Sequence, residues 1–287
     1  MNNPYVNFIK SYEDILRNGA NLSLGGFKPD RPKPALSPNA PKVLVFSPHP
    51  DDECITGALS LRILRELKYR IMNVAVTQGS NKERQAPRLQ ELTNACKYLG
   101  FYVITTKEGG LEKINPKTRE GDKTHWSSCV ERIVQILREH EPKAISIPHV
   151  GDWNSTHIGT HYLVMDALKE LSPNFNCYVI QSEFWAPLAN PNMMVELSVE
   201  DAADLVGAIS FHVEEVKRNP YHTRLPAWLQ DNVRRGGELV GGQGGAAPDF
   251  TFAALYRLDK WTGKELKPVF EGGKFISTSD DFSALFA

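Results

Sequence analysis

Apolar positions along the chain follow two alternating rhythms. Short apolar runs at 42–46, 70–77, 101–106, 144–148 and 177–181 end in polar or glycine-containing loops and read as buried strands. Between them the spacing is helical. Ile55, Ala58, Leu59, Leu61, Ile63, Leu64 and Leu67 form a broad arc over 53–68, and a second helix spans 86–99, with Gly100 as its stop signal. Trp126, Val130, Ile133 and Leu137 mark a third helix and 157–171 a fourth. Strand and helix in turn predict βαβ units. The expected fold class is therefore α/β: a Rossmann-like, three-layer α/β/α arrangement with a mostly parallel sheet and right-handed crossovers. Such sheets bind ligands beyond the carboxyl ends of their strands, where the polar loops 47–53 and 149–157 fall.

The flanks are less regular. A short helix at 5–17 and a stretch at 20–41 rich in Gly, Pro, Asn and Ser predict an N-terminal arm over 1–41, before a catalytic domain at 42–198. The remainder, 199–287, is expected to complete or cover that domain. It reads as one helix at 199–217 with Ala202, Leu205, Ile209, Val213 and Val216 on one face, a loop through the glycine-dense 234–248, and a strand at 250–258. No strand ends just before that glycine-rich segment, and it has neither GxxxxGK[ST] nor GxGxxG order. It reads as a lid or subunit contact, not a phosphate cradle.

Composition narrows the partners. With 33 basic and 34 acidic residues and a formal net charge of -1, no global field would hold the protein on nucleic acid or an anionic membrane. No apolar run reaches the ~20 residues of a spanning helix, and a signal-like segment is missing at the first residues, so a soluble, cytoplasmic protein is expected. Cys54, Cys96, Cys129 and Cys177 form no CxxC pair and read as buried free thiols. A small, polar, near-neutral substrate fits this balance.

The chemistry concentrates after the first strand. In Pro48-His49-Pro50-Asp51-Asp52-Glu53, a strand-to-helix turn could aim His49 and Asp52 at one point. With His157 from the end of the fourth strand, the set is two imidazoles and a carboxylate, as in catalytic zinc sites that keep a position open. Asp51 would then stay free beside a metal-activated water as a proton acceptor. Helix capping explains one acidic residue here, but not the whole string.

That string resembles the (A/P)HPDDE signature of the LmbE-like, or PIG-L, deacetylases. The likeness continues at Thr77-Gln78-Gly79, at Arg88 to Glu91 with Ala95 and Leu99-Gly100, and at 152–161, covering about 42–185. The resemblance implies zinc, or another divalent metal, held by His49, Asp52 and His157, with zinc-bound water as nucleophile and Asp51 as general base. It implies removal of an N-acetyl or N-acyl group from a glucosamine-type sugar conjugate. Because some relatives look like hydratases of small unsaturated organic acids, that activity is the alternative. A sugar-binding protein with a vestigial site would have lost a ligand or the base, and neither is lost. Relatives often form multimers, so a homo-oligomer is expected.

One departure stands out. The family's second motif usually reads His-Pro-Asp-His, whereas this chain has Asn154-Ser155-Thr156-His157. The ligand is kept, but Asn154, at the assisting position, can donate a hydrogen bond to an oxyanion and cannot act as a cationic acid. His161, one turn later, either takes over that part or is a packed histidine bonded to the backbone. On the substrate side stand Arg88, Asp152 and Trp153. Arg88 binds substrate or pairs with Glu91, and Asp152 orients His157 or stabilises a turn. Trp153, Trp185 and Tyr221 stack on a sugar face or fill the rim, and His212 reads as an ordinary helix histidine.

Overall fold

The computed structural model describes residues 3–286. Helix α1 (Tyr5–Gly19) precedes β1 (Lys42–Ser47), α2 (Asp52–Ile55), α3 (Ala58–Arg62) and a π-helical turn at Ile63–Leu67. Then come β2 (Arg70–Ala75), α4 (Lys82–Leu99), β3 (Tyr102–Thr105), α5 (Pro116–Gly121) and α6 (Lys123–His140). They are followed by β4 (Ala144–Pro148), α7 (Ser155–Lys169), β5 (Cys177–Ser182), β6 (Met193–Leu197), α8 (Val199–Ile209) and α9 (Val213–Arg218). The C-terminal part holds α10 (Tyr221–Gly241), β7 (Phe252–Trp261), β8 (Leu266–Pro268), β9 (Lys274–Ile276) and a closing 3-10 turn.

One sheet joins all the strands in the order β3-β2-β1-β4-β5-β7-β6-β9, with β8 on the far end of β7. From β3 to β5 neighbours run parallel, whereas β7 is antiparallel to both β5 and β6. Alternating side chains divide the core between two faces. In β1, Val43 and Val45 pack in one cluster with α3, α4, α8 and α10, while Leu44 and Phe46 pack in the other with α6 and α7. This is the expected three-layer α/β/α fold. The strand order reverses between β1 and β4, a topological switch point that opens a crevice beyond their carboxyl ends.

Three expectations need correction. The arc at 53–68 is not one helix: the buried Tyr256 hydroxyl donates to the Thr56 carbonyl (2.8 Å) and accepts the Leu59 amide (3.0 Å), entering the helical ladder. The stretch 199–217 is broken at 210–212, where the His212 side chain turns inward to Glu53. The glycine-dense segment is helical as far as Gly241, because its glycines serve close packing: a Cβ at Gly236 would lie 2.6 Å from Met194 Cε and 2.8 Å from Leu255 Cδ2. Strand β6, with Met193, Met194 and Val195 fully buried, was not anticipated. All four cysteines are free and buried, and among the described residues no helix is long and apolar enough to cross a membrane.

Candidate metal centre and active-site cleft

The loop after β1 is pinned from several sides. Thr77 donates its hydroxyl to the Pro48 carbonyl (2.7 Å), and Arg88 Nη2 reaches the Pro50 carbonyl (3.0 Å). Gly79 makes this approach possible: it has φ +84, and a Cβ there would stand 2.5 Å from Arg88 Nη1. The Thr-Gln-Gly and Arg segments flagged in the sequence thus hold the His-Pro-Asp-Asp loop in place. Within the loop, the His49 amide donates to Asp52 Oδ2 (2.8 Å). Asp51 has φ 128 and ψ -28, a conformation that costs a non-glycine residue about 1–3 kcal/mol and persists only where its surroundings over-determine it.

His49, Asp52 and His157 converge. Asp52 Oδ2 lies 3.5 Å from His49 Nδ1 and 3.4 Å from His157 Nε2, and one donor atom from each residue falls within 4.8 Å of the others. Asp52 Oδ1 and His157 Nε2 are buried without a hydrogen-bond partner. Buried polar atoms left unsatisfied in two converging residues are costly unless a ligand engages them. Two imidazoles and one carboxylate with donor atoms this close, two of the residues holding an unpartnered buried atom, fit a divalent metal of the zinc type.

Charge follows the same geometry. Burial works against the Asp52 carboxylate, but His157 and His49 outweigh it and hold Asp52 below the ordinary value. Burial likewise opposes the His157 cation, but Asp52 and Asp152 prevail and raise it. Asp51 goes the other way: burial first, then the Asp52 charge, push its carboxyl well above the usual range, with Arg88 opposing. Asp152 lies behind His157, its side chain fully buried and its Oδ2 3.6 Å from His157 Nδ1. Its oxygens also accept the amides of Asn154 (2.8 Å) and Trp185 (3.2 Å).

A cleft of about 540 Å³ opens over this centre, and His49 and Asp51 are among its lining residues. Asn154 lines it too. Its side-chain oxygen caps α7 by accepting the Thr156 amide (2.8 Å), so its NH₂ is the side chain's donor group. Phe184, Trp185 and Tyr221 form an aromatic wall, with ring centroids 4.9 to 6.2 Å apart. Arg88 also borders the cleft, its Nη2 4.0 Å from Glu215 Oε2 and not paired with Glu91.

Other residues singled out from sequence lie elsewhere. Trp153 is 76% exposed and does not border the cleft, and neither does Asp152. His161 is buried, its Nδ1 bonded to the Pro148 carbonyl (2.9 Å), which ties α7 to the end of β4. His212, read as an ordinary helix histidine, instead bonds Glu53, the residue after Asp52, at 2.7 Å. Periodicity could not reveal this, since the apolar face at 199–217 continues across the break at 210–212.

Residues 44–168 match the family model for PIG-L, described as GlcNAc-PI de-N-acetylase. Over this stretch, under half of its length, the chain is similar to the PIG-L family. No curated protein matches it significantly. Among solved structures it resembles N,N'-diacetylchitobiose deacetylase from Pyrococcus horikoshii at 16% identity and TM-score 0.55, over 92% of this chain and 94% of that one. It also resembles an A40926 pseudoaglycone deacetylase at 15% identity and TM-score 0.57, over 79% and 100% of the two chains. The 4-carboxy-2-hydroxymuconate hydratase of Pseudomonas putida shares the fold as well, at 17% identity and TM-score 0.56, over 76% and 95%. At these identities the likenesses speak for the fold alone, and the fold serves more than one reaction.

Proposed function

We propose that this protein is a member of the PIG-L family and a metal-dependent hydrolase that removes an N-acetyl or related N-acyl group from a glucosamine-type sugar conjugate. The observation that carries the proposal is the convergence of His49, Asp52 and His157 beside the unliganded Asp51, at the base of a cleft walled by Phe184, Trp185 and Tyr221. The family description and the names of two similar folds, both deacetylases, agree with this reading.

In this reading His49, Asp52 and His157 hold zinc or another divalent ion. When bound, such a metal polarises the acyl carbonyl and lowers the pKa of a water towards ~7. Asp51 would accept the proton of a water that attacks the acyl carbon and return it to the nitrogen as the C–N bond breaks, giving acetate and the amine. A carboxyl pushed upward by burial suits both halves of this transfer. The Asn154 NH₂ donates to the developing oxyanion, a role for which a neutral amide is competent. The aromatic wall stacks on the sugar ring. His161 stays with the Pro148 carbonyl and supports the loop that carries Asn154 and His157.

The test is acetate release from N-acetylglucosamine conjugates by the purified protein, with and without a chelator. Chelator-sensitive release supports the proposal. No release from any N-acyl sugar, together with turnover of an unsaturated diacid, sinks it in favour of hydration at the same site.

A further inference from the structure

Glu53 closes the His-Pro-Asp-Asp-Glu string, yet no step of the proposed reaction uses it. It has no exposed surface, and neither do Cys54 or His212 beside it. Its carboxylate collects three donors: Oε2 accepts the Asp51 amide (3.0 Å), while Oε1 takes His212 Nε2 (2.7 Å) and the Cys54 thiol (3.1 Å). Two of these come from its own loop. The third comes from the junction of α8 and α9, 159 residues away in sequence.

We propose that Glu53 and His212 are positioning residues, a buried brace that holds the Asp51 backbone in its positive-φ conformation and so keeps the base and the ligand pair His49 and Asp52 converged. The inference rests on the proposed assignment of Asp51, His49 and Asp52. Asp51 is the residue at φ 128, and it lies between the two ligands in sequence, so relaxing it towards an ordinary φ swings His49 and Asp52 apart. The amide that Glu53 grips is that of Asp51 itself. An ion pair serving stability alone has no reason to end on the strained peptide between two ligands. His212 is in turn freed to reach inward because the helical rhythm stops at Ile209 and restarts at Val213. The break looks like a packing defect until its product, the 2.7 Å bond to Glu53, is taken into account. Donors on Glu53 from two distant segments over-determine a conformation that neither would maintain alone.

The brace is tested by zinc titration of the full chain against a chromophoric chelator, with thermal unfolding of each metal-free variant as a check on folding. Glu53→Ala and His212→Ala are expected to remain folded and to bind zinc about 10–100-fold more weakly. His212→Gln, which keeps a donor near the Nε2 position, is expected to recover most of that affinity. Should Glu53→Ala fail to fold, Glu53→Gln replaces it, with an intermediate loss expected. Parental zinc affinity in folded His212→Ala overturns the proposal, and so does a loss in His212→Gln as large as in His212→Ala. In zinc-saturated protein the same variants are expected to lower kcat with little change in KM. Zinc affinity does not depend on the acyl substrate. A parental protein that binds zinc but deacetylates nothing therefore defeats the hydrolase proposal and leaves the brace standing. Unchanged affinity in the variants does the reverse, and a parental chain that takes up no zinc overturns both.

Discussion

Asp152→Asn tests the proposed metal centre through the carboxylate that backs His157. The carboxylate holds the Asn154 amide on Oδ1 (2.8 Å) and faces both the Trp185 amide (3.2 Å) and His157 Nδ1 (3.6 Å) with Oδ2. In the asparagine variant the retained oxygen stays on Asn154, and the new NH₂ meets two donors. The part-buried Trp185 amide also loses its acceptor, at a cost of up to about 1 kcal/mol. His157 can relieve the clash only by moving its proton to Nε2, the nitrogen beside Asp52, and then has no lone pair for a metal. Loss of such a supporting carboxylate typically weakens metal binding 10–100-fold, or about 1.4–2.7 kcal/mol. Chelator competition should find zinc affinity lowered by that factor, with activity restored at excess zinc. An affinity within about twofold of the parent would refute the argument, since no tautomer switch could be so inexpensive.

Three further outcomes follow from the same geometry. Asp51→Asn should lower kcat by about 10²–10⁴ while zinc uptake, read by metal analysis, stays at the parental level; a variant with full activity rules Asp51 out as the base. Trp185→Ala should raise KM for N-acetylglucosamine conjugates by about 2–10-fold with a smaller change in kcat, the equivalent of one lost aromatic contact; steady-state kinetics decide. Burial opposes the Asp204 carboxylate, but hydrogen bonds from Arg31, Arg65 and Tyr98 outweigh it and hold Asp204 below the ordinary value. A depressed carboxyl stabilises the fold fully above its unfolded value and loses that contribution as pH falls through the folded one. Arg31→Ala should therefore lower Tm near neutral pH, with the deficit shrinking below about pH 4, as thermal scans across pH would show.

The parallel half of the sheet was legible because buried strands such as 144–148 are apolar throughout, and the helices between them show one-sided periodicity. The convergence of His49, Asp52 and His157 was legible for a different reason: a His-Pro-Asp-Asp-Glu string directly after a buried strand satisfies no ordinary packing need. Distant partners were the illegible part. Nothing near Leu59 announces that the Tyr256 hydroxyl will enter its helix, and nothing near Gly236 announces Met194. Glycine is ambiguous in sequence, since the absence of a Cβ serves a loop or a close helix–sheet contact equally well. His212 was hidden by its neighbours, whose apolar face continues smoothly across the break. Trp153 shows the opposite error: proximity in sequence to Asn154 suggested the cleft, whereas the side chain points to solvent.

The position of β7 between β5 and β6 has a consequence for synthesis. As the chain leaves the ribosome, β3, β2, β1, β4 and β5 can pair as they emerge, but the edge of β5 stays open until Phe252–Trp261 arrives. An unpaired, fully buried-type strand such as Cys177–Ser182 is a template for adhesion to other nascent chains. The glycine-lined α10 packs chiefly on β7, so the parallel half of the molecule spends part of its birth without its cover. Yield in a crowded translating cell, more than equilibrium stability, is where substitutions along β7 would first be felt.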